Sequence, residues 1–331
     1  MKRNQRDSLA RSAMKLLCTL LGLILAVMVG FTAIFQYIMG RLNYTQLPSR
    51  DPEGVVAVFS EGIASLSSSS GNKTIGGVGS GLINILLVGQ DRREGETQAR
   101  ADSMILCTFH KESGQLTMTS FLRDLYVPIP GHHDNRINAS YSIGGMDLLC
   151  QTLEENFDLH VDGCVEVDFS QFASIVDALG GVKICLREDE ARTIRKYCPG
   201  STVGSGEQLL NGDEALYFSR IRELDPDGDL SRARRQRTVL QAILDAWKGA
   251  DLGAMLEALR KILPMVSTDL SPLQIMDWAF TAAPQRASLT TRSYQIPAPG
   301  KCWDETIRGM AVLVCDLEEN RRILNGYLKD N

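Results

Sequence analysis

The sequence predicts an α/β chain: an α/β/α sandwich on a mixed β-sheet, carried behind one N-terminal transmembrane helix. Three observations predict it. Short β-branched runs alternate with amphipathic helical stretches from residue 82 onward, the pattern of a sheet covered by helices. Leu16 to Gly40 is a run of 25 residues without a charge. As a helix it is about 37 Å long, enough to cross a hydrocarbon core of about 30 Å. Finally, the 331 residues are 44% hydrophobic and 23% charged, enough to bury a sizeable core and to exclude wholesale disorder. The mean hydropathy of -0.08 is too low for a polytopic membrane protein.

Residues 1–15 carry Lys2, Arg3, Arg6, Arg11 and Lys15 against Asp7, while Arg41 alone follows the span directly. The positive-inside rule makes 1–15 a cytoplasmic tail, 16–40 the membrane span and the remainder extracytoplasmic, a single-pass type II protein of the plasma membrane. The rival reading, a cleaved signal peptide, wants an apolar region of about 7–15 residues and a small-x-small site; this run is longer and ends in Phe35-Gln36-Tyr37. The formal charge of -5 divides into +4 on the tail and -9 on the rest. That balance does not suit a nucleic-acid binder. Residues 41–81 read as an extracytoplasmic linker, Ser/Gly-rich from Ser65 to Gly81. The GxGxG inside it precedes a strand instead of following one, the wrong order for a nucleotide loop.

The domain runs from 82 to 331. Leu82–Gly89, Ser103–Phe109 and Leu116–Phe121 are strands, and Met146–Asn156 is helical. Ser170–Leu179 is an amphipathic helix, with Ser170 as cap, Phe172, Ile175, Val176 and Leu179 on one face, and Gly180-Gly181 as its stop. Val182–Leu186 is a strand, Asp213–Phe218 begins a helix, and Arg232–Trp247 is a long one. Helices over Leu252–Leu263 and Ser271–Ala282 follow, the second with Pro272 near its start. Ser293–Ile296 and Met310–Cys315 are strands, and Leu317–Leu328 closes the chain as a helix. Seven cysteines follow the span: Cys107, Cys150, Cys164, Cys185, Cys198, Cys302 and Cys315. None lies in a zinc-type spacing. Cys185/Cys198 and Cys302/Cys315 are the close-spaced disulfide candidates, with buried thiols as the alternative.

Three stretches carry candidate chemistry. Asp91-Arg92-Arg93 follows the first strand, and Arg100 and Asp102 precede the next. Carboxylates on adjacent strands, Asp91 and Asp102, are a candidate Mg²⁺ site; a charged surface turn is the plain alternative. The stretch Ser120–Asp124 ends a strand with Arg123-Asp124, and Arg136-Ile137-Asn138 follows. Between 220 and 237 stand six arginines. Arg220 and Arg222, two apart, point the same way in an extended segment. On the long helix the apolar stripe is Leu240, Ile243, Leu244 and Trp247. Carried back at about 100° per residue, it puts Gln236 in its middle and Arg232 within about 40° of it, with Arg235 and Arg237 flanking and Arg234 on the far side. Inward arginines at a helix start suit phosphate. The alternative is a solvated basic turn paired with Glu223, Asp225, Asp227 and Asp229. The four histidines show no metal spacing, and no GxSxG elbow supports a serine nucleophile.

The ordered motifs NILLVGQDRR, ADSM, SFLRD, RINASYSIGG, VEVDF, DALGGV, GEQLLNGDEALYFSRIR and DLSRARRQRTVL, between about residues 84 and 240, resemble the LytR–CpsA–Psr family. The resemblance implies an α/β/α domain with an apolar polyprenyl pocket. It implies a Mg²⁺-dependent phosphotransferase that moves a glycopolymer (teichoic acid, capsule or another wall glycan) from an undecaprenyl-pyrophosphate carrier onto peptidoglycan. It assigns Asp91 and Asp102 to Mg²⁺ and pyrophosphate, and Arg123, Arg220 and Arg222 to catalysis. Arg93, Arg100, Arg136, Arg232 and Gln236 go to substrate binding. Leu122 stands where the family commonly has Pro, and Arg136 where it has Lys. A lipid-pyrophosphate hydrolase and a non-enzymatic envelope regulator are the other readings.

Overall fold

The computed structural model describes residues 80–91 and 100–329. The basic tail, the 16–40 span, almost all of the linker and Arg93 lie outside the described residues. Among the described residues, no helix is long and apolar enough to cross a membrane.

In chain order the strands are β1 (Leu82–Asp91), β2 (Arg100–His110), β3 (Gln115–Phe121), β4 (Tyr126–Val127), β5 (Asn135–Arg136), β6 (Gly163–Asp168), β7 (Val182–Leu186), β8 (Gly206–Leu210), β9 (Ser267–Thr268), β10 (Thr290–Ile296), β11 (Cys302–Ile307) and β12 (Met310–Cys315). The helices are α1 (Ile137–Phe157), α2 (Phe169–Ala178), α3 (Glu188–Tyr197), α4 (Gly212–Arg220), α5 (Asp229–Gly249), α6 (Leu252–Ile262), α7 (Pro272–Ala282) and α8 (Leu317–Lys329). The main sheet has the order β10-β3-β2-β1-β6-β9. It is mixed: β1 pairs antiparallel with β2 and parallel with β6, and β3 pairs parallel with β10.

Side-chain alternation along β2 sorts the two layers. Met104 and Leu106 join Leu86, Val88 and Phe121 beneath Leu149, Leu153 and Phe157 of α1 and Leu324 and Leu328 of α8. Ile105 and Cys107 turn to the opposite face, where Met118 and the α5 residues Leu240 and Leu244 meet them. The expected α/β/α arrangement on a mixed sheet is therefore present. A satellite core under α2, α3 and α4 holds Val182, Ile184 and Leu186 of β7, Leu210 of β8, Ile194 and Phe218.

Several expectations need correction. The helix expected from Met146 begins at Ile137; Gly144 (φ -135°) and Gly145 (φ 68°, ψ -155°) interrupt it, so Met146 marks only its second half. The cap of α2 is Asp168, not Ser170: its side chain accepts from Gln171 N while Gln171 returns the bond. The long helix starts at Asp229, three residues before Arg232. All seven described cysteines are thiols in this structure, and Cys185 is exposed while Cys198 is buried. The Sγ atoms of Cys150 and Cys164, which spacing did not single out, lie 2.9 Å apart.

Candidate active site

The site is built where β1, β2 and β3 reach one end of the sheet. In the β1–β2 ladder Gly89 faces Ser103 but Gln90 faces Ala101. Asp102 is thus the extra residue of a β-bulge, a device that re-aims side chains at strand ends. Its Oδ1 accepts from Arg123 Nη1 at 2.9 Å. Arg123 lies just past β3 in a turn fastened on three sides. Leu122 N donates to Ile296 O (2.9 Å), Asn138 N to Arg123 O (3.3 Å) and Leu313 N to Asp124 O (2.8 Å).

From Arg123 an ion-pair network spreads. Its Nε donates to Asp229 Oδ2 at 3.0 Å and lies 3.3 Å from Asp124 Oδ2. Arg136 Nη1 reaches Asp124 Oδ1 at 3.0 Å. Asp229, first residue of α5, also pairs with Arg222 Nε (3.4 Å) and Arg232 Nη2 (3.1 Å). Four guanidinium groups thus face three carboxylates, Asp102, Asp124 and Asp229. Burial works to lower the Arg123 pKa, but Asp229, Asp124 and Asp102 more than offset it and hold the group above its ordinary value. Arg232 is 5% exposed, yet its Nε and Nη1, like Arg136 Nε, have no hydrogen-bond partner among the described residues. Buried donors left this way are costly, and their usual explanation is a missing acceptor.

The structure treats the other expected residues unequally. Asp91 ends β1 opposite Arg100 in the ladder, and Arg100 is exposed; nothing is described of the Asp91 side chain. Arg220 corrects the paired-arginine expectation. It is the last residue of α4, not part of an extended segment, and its guanidinium lies 4.3 Å over the Phe169 ring. It lines a separate open pocket of about 370 Å³ with Tyr197 and Tyr217. Arg222 joins the network; Arg220 does not. Gln236 is half-buried and makes no hydrogen bond to the network among the described residues. The expected phosphate-facing helix start is instead occupied by Asp229, favourably placed at the positive end of the helix dipole. Arg235 and Arg237 are drawn in further than flanking positions imply. Arg235 binds Glu190 (2.9 Å), Asp225 and Ile221 O; Arg237 donates to Ser120 and Ser293.

Sequence reasoning missed the weight of Asp229, which it gave only to the solvated alternative. No spacing signal reveals it, because its partner Arg123 is 106 residues away. For Mg²⁺, no group of three or more potential ligands is assembled among the described residues. Mg²⁺ does not need one, since it binds through one or two carboxylates plus substrate phosphate oxygens. Asp102 spends only Oδ1 on Arg123, which leaves Oδ2 for a hard cation beside the end of β1, so the donor set fits.

A three-layer α/β domain with a cluster of ion-paired arginines at one end of its mixed sheet defines the class of this protein. The chain belongs to the LytR_cpsA_psr family, whose model matches residues 60–326. Two transferases named for moving teichoic acid from a polyisoprenyl carrier to peptidoglycan are similar to it. TagT of Bacillus subtilis is 40% identical over 176 residues, 51% of this chain and 54% of TagT. TagU of Oceanobacillus iheyensis is 33% identical over 261 residues, 75% and 77% of the two chains. The match thus spans about half the length of TagT. A solved structure of YwtF (TagT) with bound octaprenyl pyrophosphate lipid has a TM-score of 0.58 at 28% identity, covering 76% of this chain and 91% of that one.

Proposed function

We propose that this protein is a membrane-anchored phosphotransferase that moves a glycopolymer from an undecaprenyl-pyrophosphate carrier onto peptidoglycan. The observation that carries the reading is the Arg123 network with its unsatisfied buried Arg232 donors. A hydroxyl of the acceptor glycan attacks the glycan-bearing phosphorus; a new P–O bond forms, the bridging P–O bond breaks, and lipid phosphate leaves, taking up the hydroxyl's proton. The chain's work is positioning and charge neutralisation. Arg123, Arg136, Arg222 and Arg232 exchange part of their aspartate contacts for pyrophosphate oxygens. Asp102 and Asp91 hold Mg²⁺, which supplies further positive charge to the pyrophosphate when bound. Arg220, outside the network, Arg93, two residues after Asp91, and Arg100, opposite Asp91 in the ladder, are the outer contacts of the same substrate. The anchor at 16–40 keeps the domain at the bilayer, where the donor's tail resides.

The test is a transfer assay with a defined lipid-linked donor and peptidoglycan. Glycan joined to the acceptor is expected, and Arg123→Ala or Arg222→Ala should lower the rate by about 10²-fold or more. EDTA should stop the reaction and Mg²⁺ restore it. Phosphate-bearing glycan released equally with and without acceptor would make the protein a hydrolase. Full transfer by both variants would remove the network from catalysis.

A further inference from the structure

Seven cysteines follow the span, and the fold brings two pairs of them together by independent means. Cys150 on α1 and Cys164 on β6 are 0% and 1% exposed, with Sγ atoms 2.9 Å apart; a covalent bond of about 2.05 Å needs only a small further approach. Cys302 opens β11 and Cys315 closes β12, and the antiparallel register sets them directly opposite. Opposed residues in such a ladder have Cα separations of about 4.5 or 5.5 Å, both within the window of about 4.4–6.8 Å that a disulfide spans.

We propose that the mature domain carries two intrachain disulfides, Cys150–Cys164 and Cys302–Cys315, and keeps Cys107, Cys185 and Cys198 as thiols. The proposal rests on the domain facing outward, where oxidising conditions allow the bonds. It does not depend on the transfer chemistry. In each pair one thiolate attacks a disulfide of an oxidised dithiol partner, giving a mixed disulfide. The second thiolate then displaces the partner, which leaves as a dithiol carrying the two electrons and two protons. Burial pushes the Cys315 thiol up to about 12, with Cys302 and Asp316 adding to it. Thiolate is therefore scarce at Cys315 once the hairpin has packed, and the Cys302–Cys315 bond forms before that packing is complete.

Geometry gives the second bond a role at the site. Leu313 of β12 donates to Asp124 O and forms a β-bridge with Leu125. The hairpin is thus the outer brace of the turn that carries Arg123 and Asp124. Closing Cys302 to Cys315 fastens the two ends of that brace. The first bond ties α1 to β6, which runs beside β1 up to Gln90, next to Asp91.

The experiment uses the full-length chain from membranes of the producing cells, alkylated at lysis with N-ethylmaleimide in urea so that buried thiols also react. It is then digested and mapped by mass spectrometry without reduction. Linked peptides joining residues 150 with 164 and 302 with 315 are expected, with the label on Cys107, Cys185 and Cys198. Label as the main form on Cys150 and Cys164 overturns the first bond, and on Cys302 and Cys315 the second. A Cys185–Cys198 link in their place overturns both.

Discussion

At Asp229 one carboxylate answers three guanidinium groups: Arg123, Arg222 and Arg232. Burial pushes its pKa up while Arg123 and Arg222 pull it down, the tension expected of a charge kept in place by partners rather than by water. A few residues upstream, Asp225 shows the opposite balance. The hydrogen bond from Arg187 leads in lowering its carboxyl to about 2, with Arg235 adding to it against the effect of burial. An ordinary aspartate titrates near about 3.9. Because the folded value is the lower one, its contribution to stability is present above about pH 5 and is lost as pH falls through about 4 toward 2. Urea midpoints measured between pH 6 and 2 should therefore fall over that window. Asp225→Asn should start less stable at pH 6 and lose less on acidification.

The start of α5 and the segment before it supply Arg222, Asp229 and Arg232, so whatever orients that helix sets the site. Arg235, 4% exposed, binds Glu190 of α3 and so ties α5 to the satellite core. Removing one member of a buried pair leaves the other uncompensated, at a cost of about 3–5 kcal/mol. Arg235→Ala should lose that much in chemical denaturation; an unchanged midpoint would make the pair ornamental. The α2–α4 contact is equally exacting. A Cβ on Gly212 would lie 2.1 Å from the backbone oxygen of Ala173, so Gly212→Ala should cost about 1–3 kcal/mol by the same measurement. Elements of this kind were unevenly legible. The apolar, β-branched run of β1 shows plainly in sequence. Helix α3 does not, because its buried face amounts to Glu190, Ala191 and Ile194 within a charged segment. The true start of α5 was hidden for a related reason: Ser231, wholly buried, is polar, so the hydrophobic stripe fades one turn before the helix does.

Over the whole molecule, the three layers follow from local pattern, whereas the site follows from topology. Placing β3 beside β2, and α5 across the far face of the sheet, brings Arg123 to Asp102 and Asp229; no spacing rule contains those distances. The motif resemblance picks out Arg123, Arg222, Arg232 and Asp102, which the network joins, but not Asp124 or Asp229, the carboxylates that make most of its contacts. Net charge is a poor guide for the same reason, since an acidic domain conceals a basic cluster. The aspartates of that cluster have one more consequence. Guanidinium groups already matched by carboxylates of their own chain gather few small ions from solution, so an incoming polyanion has few to release. Affinity for the lipid-linked donor should then vary little between about 50 and 200 mM NaCl, where a surface of bare lysines or arginines loses orders of magnitude. A steep salt dependence in a binding titration would mean the arginines stand free. A shallow one would mean the protein stores its counter-ions inside the fold.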